Sequence, residues 1–155
     1  MTEKWIKKYF EMAKLVASWS KDPSTKVGAV IVPKNSDIPI VGYNGFPREI
    51  QDLPIKLQNR EIKLKLTIHA EANAILNAHK LGQNLSGATI FVTALPCSDC
   101  AKTIIQSGIK SVYYLQSSPE FNMRWAESIE FTKELFAEAG VELILNTETK
   151  QTNTQ

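Results

Sequence analysis

Two short stretches constrain this chain more than any others: Thr67-Ile68-His69-Ala70-Glu71-Ala72-Asn73 and Leu95-Pro96-Cys97-Ser98-Asp99-Cys100. Between them they hold one imidazole, two thiols and, at Glu71, a spare carboxylate beside the first of these groups. Zinc favours nitrogen and sulfur donors, and a catalytic zinc keeps three protein ligands so that water can take the fourth position. His69, Cys97 and Cys100 form such a set, and Glu71, two residues from the first ligand, is placed to act as the base that such a water needs.

The spacing restricts the local fold. Residues i and i+3 lie about 60° apart around a helix, so Cys97 and Cys100 can face one point. Pro96 just before them suits a helix start, where the dipole favours the thiolate form. His69 and Glu71 stand i, i+2, about 200° apart in a regular helix. They converge only at a helix start, and Ala70 to Leu81 is a helix candidate that begins there. A structural zinc needs four closed ligands, and the chain has two cysteines. Cys97 and Cys100 alone would also suit a thiol redox pair or a zinc-storage protein, readings that leave His69 and Glu71 without a role. His79, the second histidine, reads as a solvated helix residue.

Taken in order, residues 3–20 read as an amphipathic helix whose Trp5, Tyr9, Met12, Val16 and Trp19 pack into the core. Asp22-Pro23 stops it. Val27 to Val32 and Ile38 to Tyr43 read as a strand hairpin. Ser24, Thr25 and Lys26, just ahead of the first strand, suit either a capped turn with a solvated lysine or a seat for a phosphate. Asn44-Gly45 is a hairpin-turn dipeptide, but Phe46-Pro47-Arg48 follows instead of an alternating strand, which leaves Asn44 at a strand end where it can reach a sugar or a pyrimidine edge. Residues 48–65, with Lys56, Arg60, Lys63 and Lys65, read as a solvated loop with a short helix, or as a basic rim for anionic nucleotides. A strand at 88–94, a helix from Cys97 to Ser107 stopped by Gly108, a strand at 111–115, a loop at 116–123, a helix from Arg124 to Ala139 and a strand at 141–145 complete the pattern. Residues 146–155 read as a disordered polar tail. Alternating strands and helices predict an α/β fold: a three-layer α-β-α sandwich with a mixed sheet of about five strands, in one domain over residues 1–145.

The formal net charge of +2 does not suit a polymeric nucleic acid, although it leaves room for a single phosphate. No apolar stretch is long enough to span a membrane, no signal peptide is read at the N-terminus, and two closely spaced cysteines make no disulfide framework. A reducing cytoplasm fits these features.

The pattern His-x-Glu…Pro-Cys-x-x-Cys is a known signature of zinc nucleobase deaminases, and the sequence resembles the cytidine deaminase superfamily. More narrowly, it resembles the deoxycytidylate (dCMP) deaminase family over about residues 4–145, through Asp22-Pro23-Ser24-Thr25-Lys26-Val27-Gly28, Gly42-Tyr43-Asn44-Gly45-Phe46-Pro47-Arg48 and His69-Ala70-Glu71-Ala72-Asn73. The resemblance implies the cytidine deaminase-like fold and hydrolysis of dCMP to dUMP and ammonia, with one zinc per chain and Glu71 shuttling protons. It also implies substrate contacts around Ser24, Lys26, Asn44, Ala70, Pro96 and Arg124. Further implications are a homo-oligomer and dCTP or dTTP as effectors. The family usually continues Pro-Arg-Gly, and Glu49 stands in the place of that glycine, which sets this chain apart in a loop tied to nucleotide control. Free cytosine, cytidine or CMP, dCTP and modified cytosines are the rival substrates.

Overall fold

The computed structural model describes residues 1–147. Helix α1 (Glu3–Ala17) leads into a hairpin of β1 (Gly28–Val32) and β2 (Ile40–Tyr43). Two short helices, α2 (Pro54–Gln58) and α3 (Arg60–Leu66), precede α4 (Ala70–Lys80). Then follow β3 (Thr89–Val92), α5 (Ser98–Gln106), β4 (Ser111–Leu115), α6 (Pro119–Arg124), α7 (Ala126–Ala139) and β5 (Glu142–Asn146). The five strands lie in the order β2-β1-β3-β4-β5. β1 is antiparallel to both neighbours, whereas β3, β4 and β5 run parallel. The mixed five-stranded sheet and the hairpin are thus as expected.

Helices cover both faces. On one side α1 lays Phe10 and Ala13 on Val30, Phe91 and Leu115. On the other, Ala70, Ala74 and Ala78 of α4, Ala101 and Ile104 of α5 and Phe136 of α7 close over Ala29, Ile31, Ile90, Val92 and Val112. Alternate residues along β1 and β3 therefore serve different layers, as the pleat requires.

Two glycines set the helix-to-sheet distance. A Cβ at Gly28 would strike the Ala13 carbonyl of α1, and one at Gly42 would strike the Ala74 N of α4 and come within 2.8 Å of the Ala74 Cα. Backbone this close leaves no room for a methyl group. Gly42→Ala is expected to push α4, and His69 and Glu71 with it, away from the sheet. The cost is about 1–3 kcal/mol, or roughly a 3–10 °C lower melting temperature. An unchanged melting temperature would contradict this close approach.

Several expectations need correction. The buried stripe of α1 is Phe10, Ala13, Val16 and Ala17, while Trp5 and Trp19 are about half exposed. The helix seats through small residues, with Ala13 and Ala17 against Gly28, so rings at its ends fall outside the sheet. Trp5 stacks on Tyr9 and Trp19 meets Tyr43 edge-on. The loop expected at 116–123 holds α6, which begins at Pro119 and is capped by Ser118 accepting from the Phe121 N–H at 3.2 Å. The chain breaks helical geometry at Trp125 (φ −111°, ψ 15°), so Arg124 ends α6 and does not begin α7. Residues 48–65 hold two helices where one was expected. Asn44-Gly45 is not a turn: Gly45 pairs with Ile68 as an isolated antiparallel bridge. β5 extends to Asn146, which removes that residue from the expected tail; residues 148–155 of the tail lie outside the described residues.

Candidate metal centre and cleft

The Gly45–Ile68 bridge, closed by two hydrogen bonds of 3.1 and 2.8 Å, fixes the residue just before His69. His69 is then the N-cap of α4, with extended backbone (φ −69°, ψ 156°), and Glu71 lies in the first turn. This irregular start lets positions two apart turn to the same side. Cys97 is the N-cap of α5, its Sγ accepting from the Cys100 N–H at 3.5 Å. Two helix N-termini thus meet at one point.

There the His69 Nδ1 lies 3.4 Å from the Sγ of Cys97 and 3.4 Å from that of Cys100. All three donor atoms fall within 4.8 Å of one another. A tetrahedral zinc with Zn–S of about 2.3 Å and Zn–N of about 2.0–2.1 Å sets nitrogen and sulfur about 3.5 Å apart. The residues therefore fit zinc, which they would hold through one nitrogen and two sulfurs.

Without metal the three donors shift one another's protons, and zinc binding would release those held by His69 and Cys100. The His69 imidazole is raised to about 9, first by its hydrogen bond with Cys97, against the opposing effect of burial. The Cys97 thiol is lowered to about 4, first by its bond with Cys100 and then by His69. Cys97 and burial push the Cys100 thiol up. Burial also holds the Glu71 carboxyl above the ordinary carboxylate range. Glu71 is 4% exposed and is not one of the three clustered donors. It is a buried carboxyl group beside a metal site, an environment suited to proton transfer.

The cluster opens on a cleft of about 380 Å³ lined by His69, Ala70, Glu71, Pro96 and Cys97 at its base. Ser24, Asn44 and Arg124 also line it; Lys26 is exposed and lies outside it. Asn44 is buried with both amide atoms engaged: Oδ1 accepts from the Val27 N–H at 2.8 Å and Nδ2 donates to the Thr25 carbonyl at 2.9 Å. It braces the Ser24–Val27 segment.

The sequence reading missed the cation buried in the cleft wall. Lys63 is 7% exposed, and its Nζ lies 2.9 Å from Asp22 Oδ1 and 3.2 Å from Ser24 Oγ. The same Asp22 oxygen accepts from the N–H groups of Ser24 and Thr25. Burial raises the Asp22 carboxyl, but the Thr25 N–H, Lys63 and the Ser24 N–H together bring it below its ordinary value. A carboxyl with a lowered folded-state pKa contributes stability that is complete above the unfolded value of about 4 and is lost as pH falls through the folded one. Asp22→Asn is therefore expected to lower the melting temperature at pH 7 and to narrow the gap to wild type below about pH 4. A gap that is equal at pH 7 and pH 3 would contradict this. Asp22 and Lys63 are 41 residues apart, and no local spacing signals such a pair. Arg60, Phe121 and Trp125 also line the cleft. Among the described residues neither the Arg60 nor the Arg124 side chain has a hydrogen bond or ion pair.

Comparison with known proteins agrees with this geometry. The profile of the cytidine and deoxycytidylate deaminase zinc-binding region matches residues 3–116. An uncharacterized deaminase from the luxG 3′ region of Aliivibrio fischeri is 48% identical over 143 residues, covering 92% of this chain and 94% of that one. The deoxycytidylate deaminase of Mus musculus is 40% identical over 116 residues, covering 72% of this chain and 64% of that one, so this chain spans under two thirds of that relative's length. The crystal structure of the dCMP deaminase from cyanophage S-TIM5 in complex with dCMP and dUMP superposes with a TM-score of 0.74 at 29% identity, over 94% of this chain and 99% of that one. The chain belongs to the zinc-binding cytidine and deoxycytidylate deaminase family.

Proposed function

We propose that this protein hydrolyses dCMP to dUMP and ammonia. The observation that carries the reading is a three-donor metal cluster with a buried, non-ligating Glu71, opening on a cleft with two unpaired arginines. Zinc, when bound, supplies a Lewis acid that makes water a nucleophile near neutral pH. Glu71 takes one proton from the attacking water and gives it to N3 of the ring, then takes the second from the new C4 hydroxyl and gives it to the departing amine. Water adds at C4, the C4–N bond breaks, and ammonia leaves. The Ala70 backbone N–H and Pro96 border the pyrimidine. Phe121 and Trp125 supply apolar surface for the ring and sugar. Ser24, the Asn44-braced segment, Arg60 and Arg124 receive the phosphate end. Lys26, outside the cleft, takes no direct part.

The likeness to a dCMP deaminase solved with dCMP and dUMP supports this choice over free cytosine, cytidine or dCTP. The test is kcat/KM for dCMP, deoxycytidine, cytosine and dCTP. dCMP is expected to lead, and Arg60→Ala together with Arg124→Ala to reduce the dCMP value by about 100-fold or more, since charge-assisted hydrogen bonds contribute about 1.5–3 kcal/mol each. An equal rate on deoxycytidine would overturn the monophosphate assignment.

The reading extends to one catalytic domain over residues 1–145, a homo-oligomer in the cytoplasm, and control by dCTP or dTTP. The described residues contain no helix long and apolar enough to cross a membrane. Glu49 has φ +67°, the left-handed backbone that glycine favours. The loop thus keeps a glycine-type path without glycine, which supports retention of its shape. Rates with and without dCTP and magnesium test the control.

A further inference from the structure

We infer that Ser128 and Thr132 of α7 are positioning residues for the metal centre, holding the Cys97 turn from outside the segment that the family profile covers. The inference rests on the metal assignment to His69, Cys97 and Cys100. The profile ends at residue 116, and α7 spans Ala126–Ala139. Yet both peptide groups that flank Cys97 are tied to that helix. The Thr132 hydroxyl donates to the Pro96 carbonyl at 2.9 Å, and the Ser98 N–H donates to Ser128 Oγ at 2.8 Å. Ser128 also donates to Ser98 Oγ at 3.2 Å.

These bonds answer a local need. Ser98 is the first residue of α5, so its N–H has no partner within the helix. Pro96 is almost fully buried, and its carbonyl would otherwise be a buried acceptor without a donor. Ser128 and Thr132 stand one turn apart and so share a face of α7. Thr132 is fully buried, and Ser128 reaches the cleft wall. Cys97, between two clamped peptides, has its thiolate aimed by groups outside the three-donor cluster. Partners of this kind commonly change metal affinity by 10–100-fold.

The test is zinc affinity, measured on the full-length zinc-loaded protein by competition with a chromogenic chelator. Cobalt(II) absorption of each variant serves as a second readout of ligand geometry. Thr132→Val keeps the volume and removes the donor; it is expected to weaken zinc binding about 10–100-fold and to shift the cobalt bands. Thr132→Ser, which keeps the hydroxyl, is expected to restore both. Ser128→Ala, at a half-buried position, is expected to weaken binding to a smaller extent, and it carries the test if Thr132→Val does not fold. Wild-type zinc affinity and cobalt bands in folded Thr132→Val and Ser128→Ala would overturn the inference, even if both melt at lower temperature, because that pattern marks packing alone. A wild-type protein that binds no zinc would overturn the metal assignment itself, a result distinct from equal binding by wild type and variants.

Discussion

Glu71→Gln is expected to keep one zinc per chain and to lose turnover by about 10²–10⁴-fold or more, the usual contribution of a positioned acid–base group. The expectation follows from three features. Glu71 is outside the ligand cluster, so its removal leaves all three donors in place. It is buried in the first turn of α4, where glutamine fills the same volume. Its carboxyl, raised from the ordinary range by burial, can accept and return a proton, which an amide cannot. The measurements are metal content by mass spectrometry and steady-state rate on the same preparation. Near wild-type turnover in a zinc-loaded variant would remove Glu71 from the chemistry. Loss of zinc together with turnover would instead make it part of metal binding.

Cys97→Ser and His69→Ala are expected to lose the metal, with well under one equivalent retained after dialysis and no measurable deamination. A zinc site with three protein ligands has none to spare: each variant leaves two. Cys97 Sγ also caps α5 by accepting from the Cys100 N–H. Serine can cap a helix, so the fold of α5 is expected to persist and the defect to be confined to the metal. One equivalent of zinc retained by either variant would contradict the ligand set.

The parts of this account legible in the sequence are those that short spacing encodes. An i, i+3 thiol pair after a proline, and a His-x-Glu that converges only at a helix start, were sufficient to expect a zinc cluster at two helix N-termini; the structure places His69 and Cys97 as the two caps. The strands were equally legible, because runs such as Val27–Val32 have no competing helical pattern. What escaped depends on tertiary partners. Lys63 read as one cation of a solvated loop or basic rim, and only the fold brings it to Asp22. Asn44 read as a substrate contact; it lines the cleft, and only the fold shows that its amide also braces the backbone of Thr25 and Val27. Trp5 and Trp19 followed the helical period of α1, yet the close seat at Gly28 decided which residues were buried. The Ser118-Pro119 start of α6 was a capping signal that could have been read, and with it the separation of Arg124 from α7.

The measurement closest to the central claim is formation of dUMP and ammonia from dCMP by the protein with one zinc per chain, repeated after chelation and after zinc is restored. Equal amounts of the two products are expected, with loss of the reaction on removal of the metal and recovery on its return. A fully zinc-loaded, folded protein that yields no dUMP from dCMP would contradict that claim.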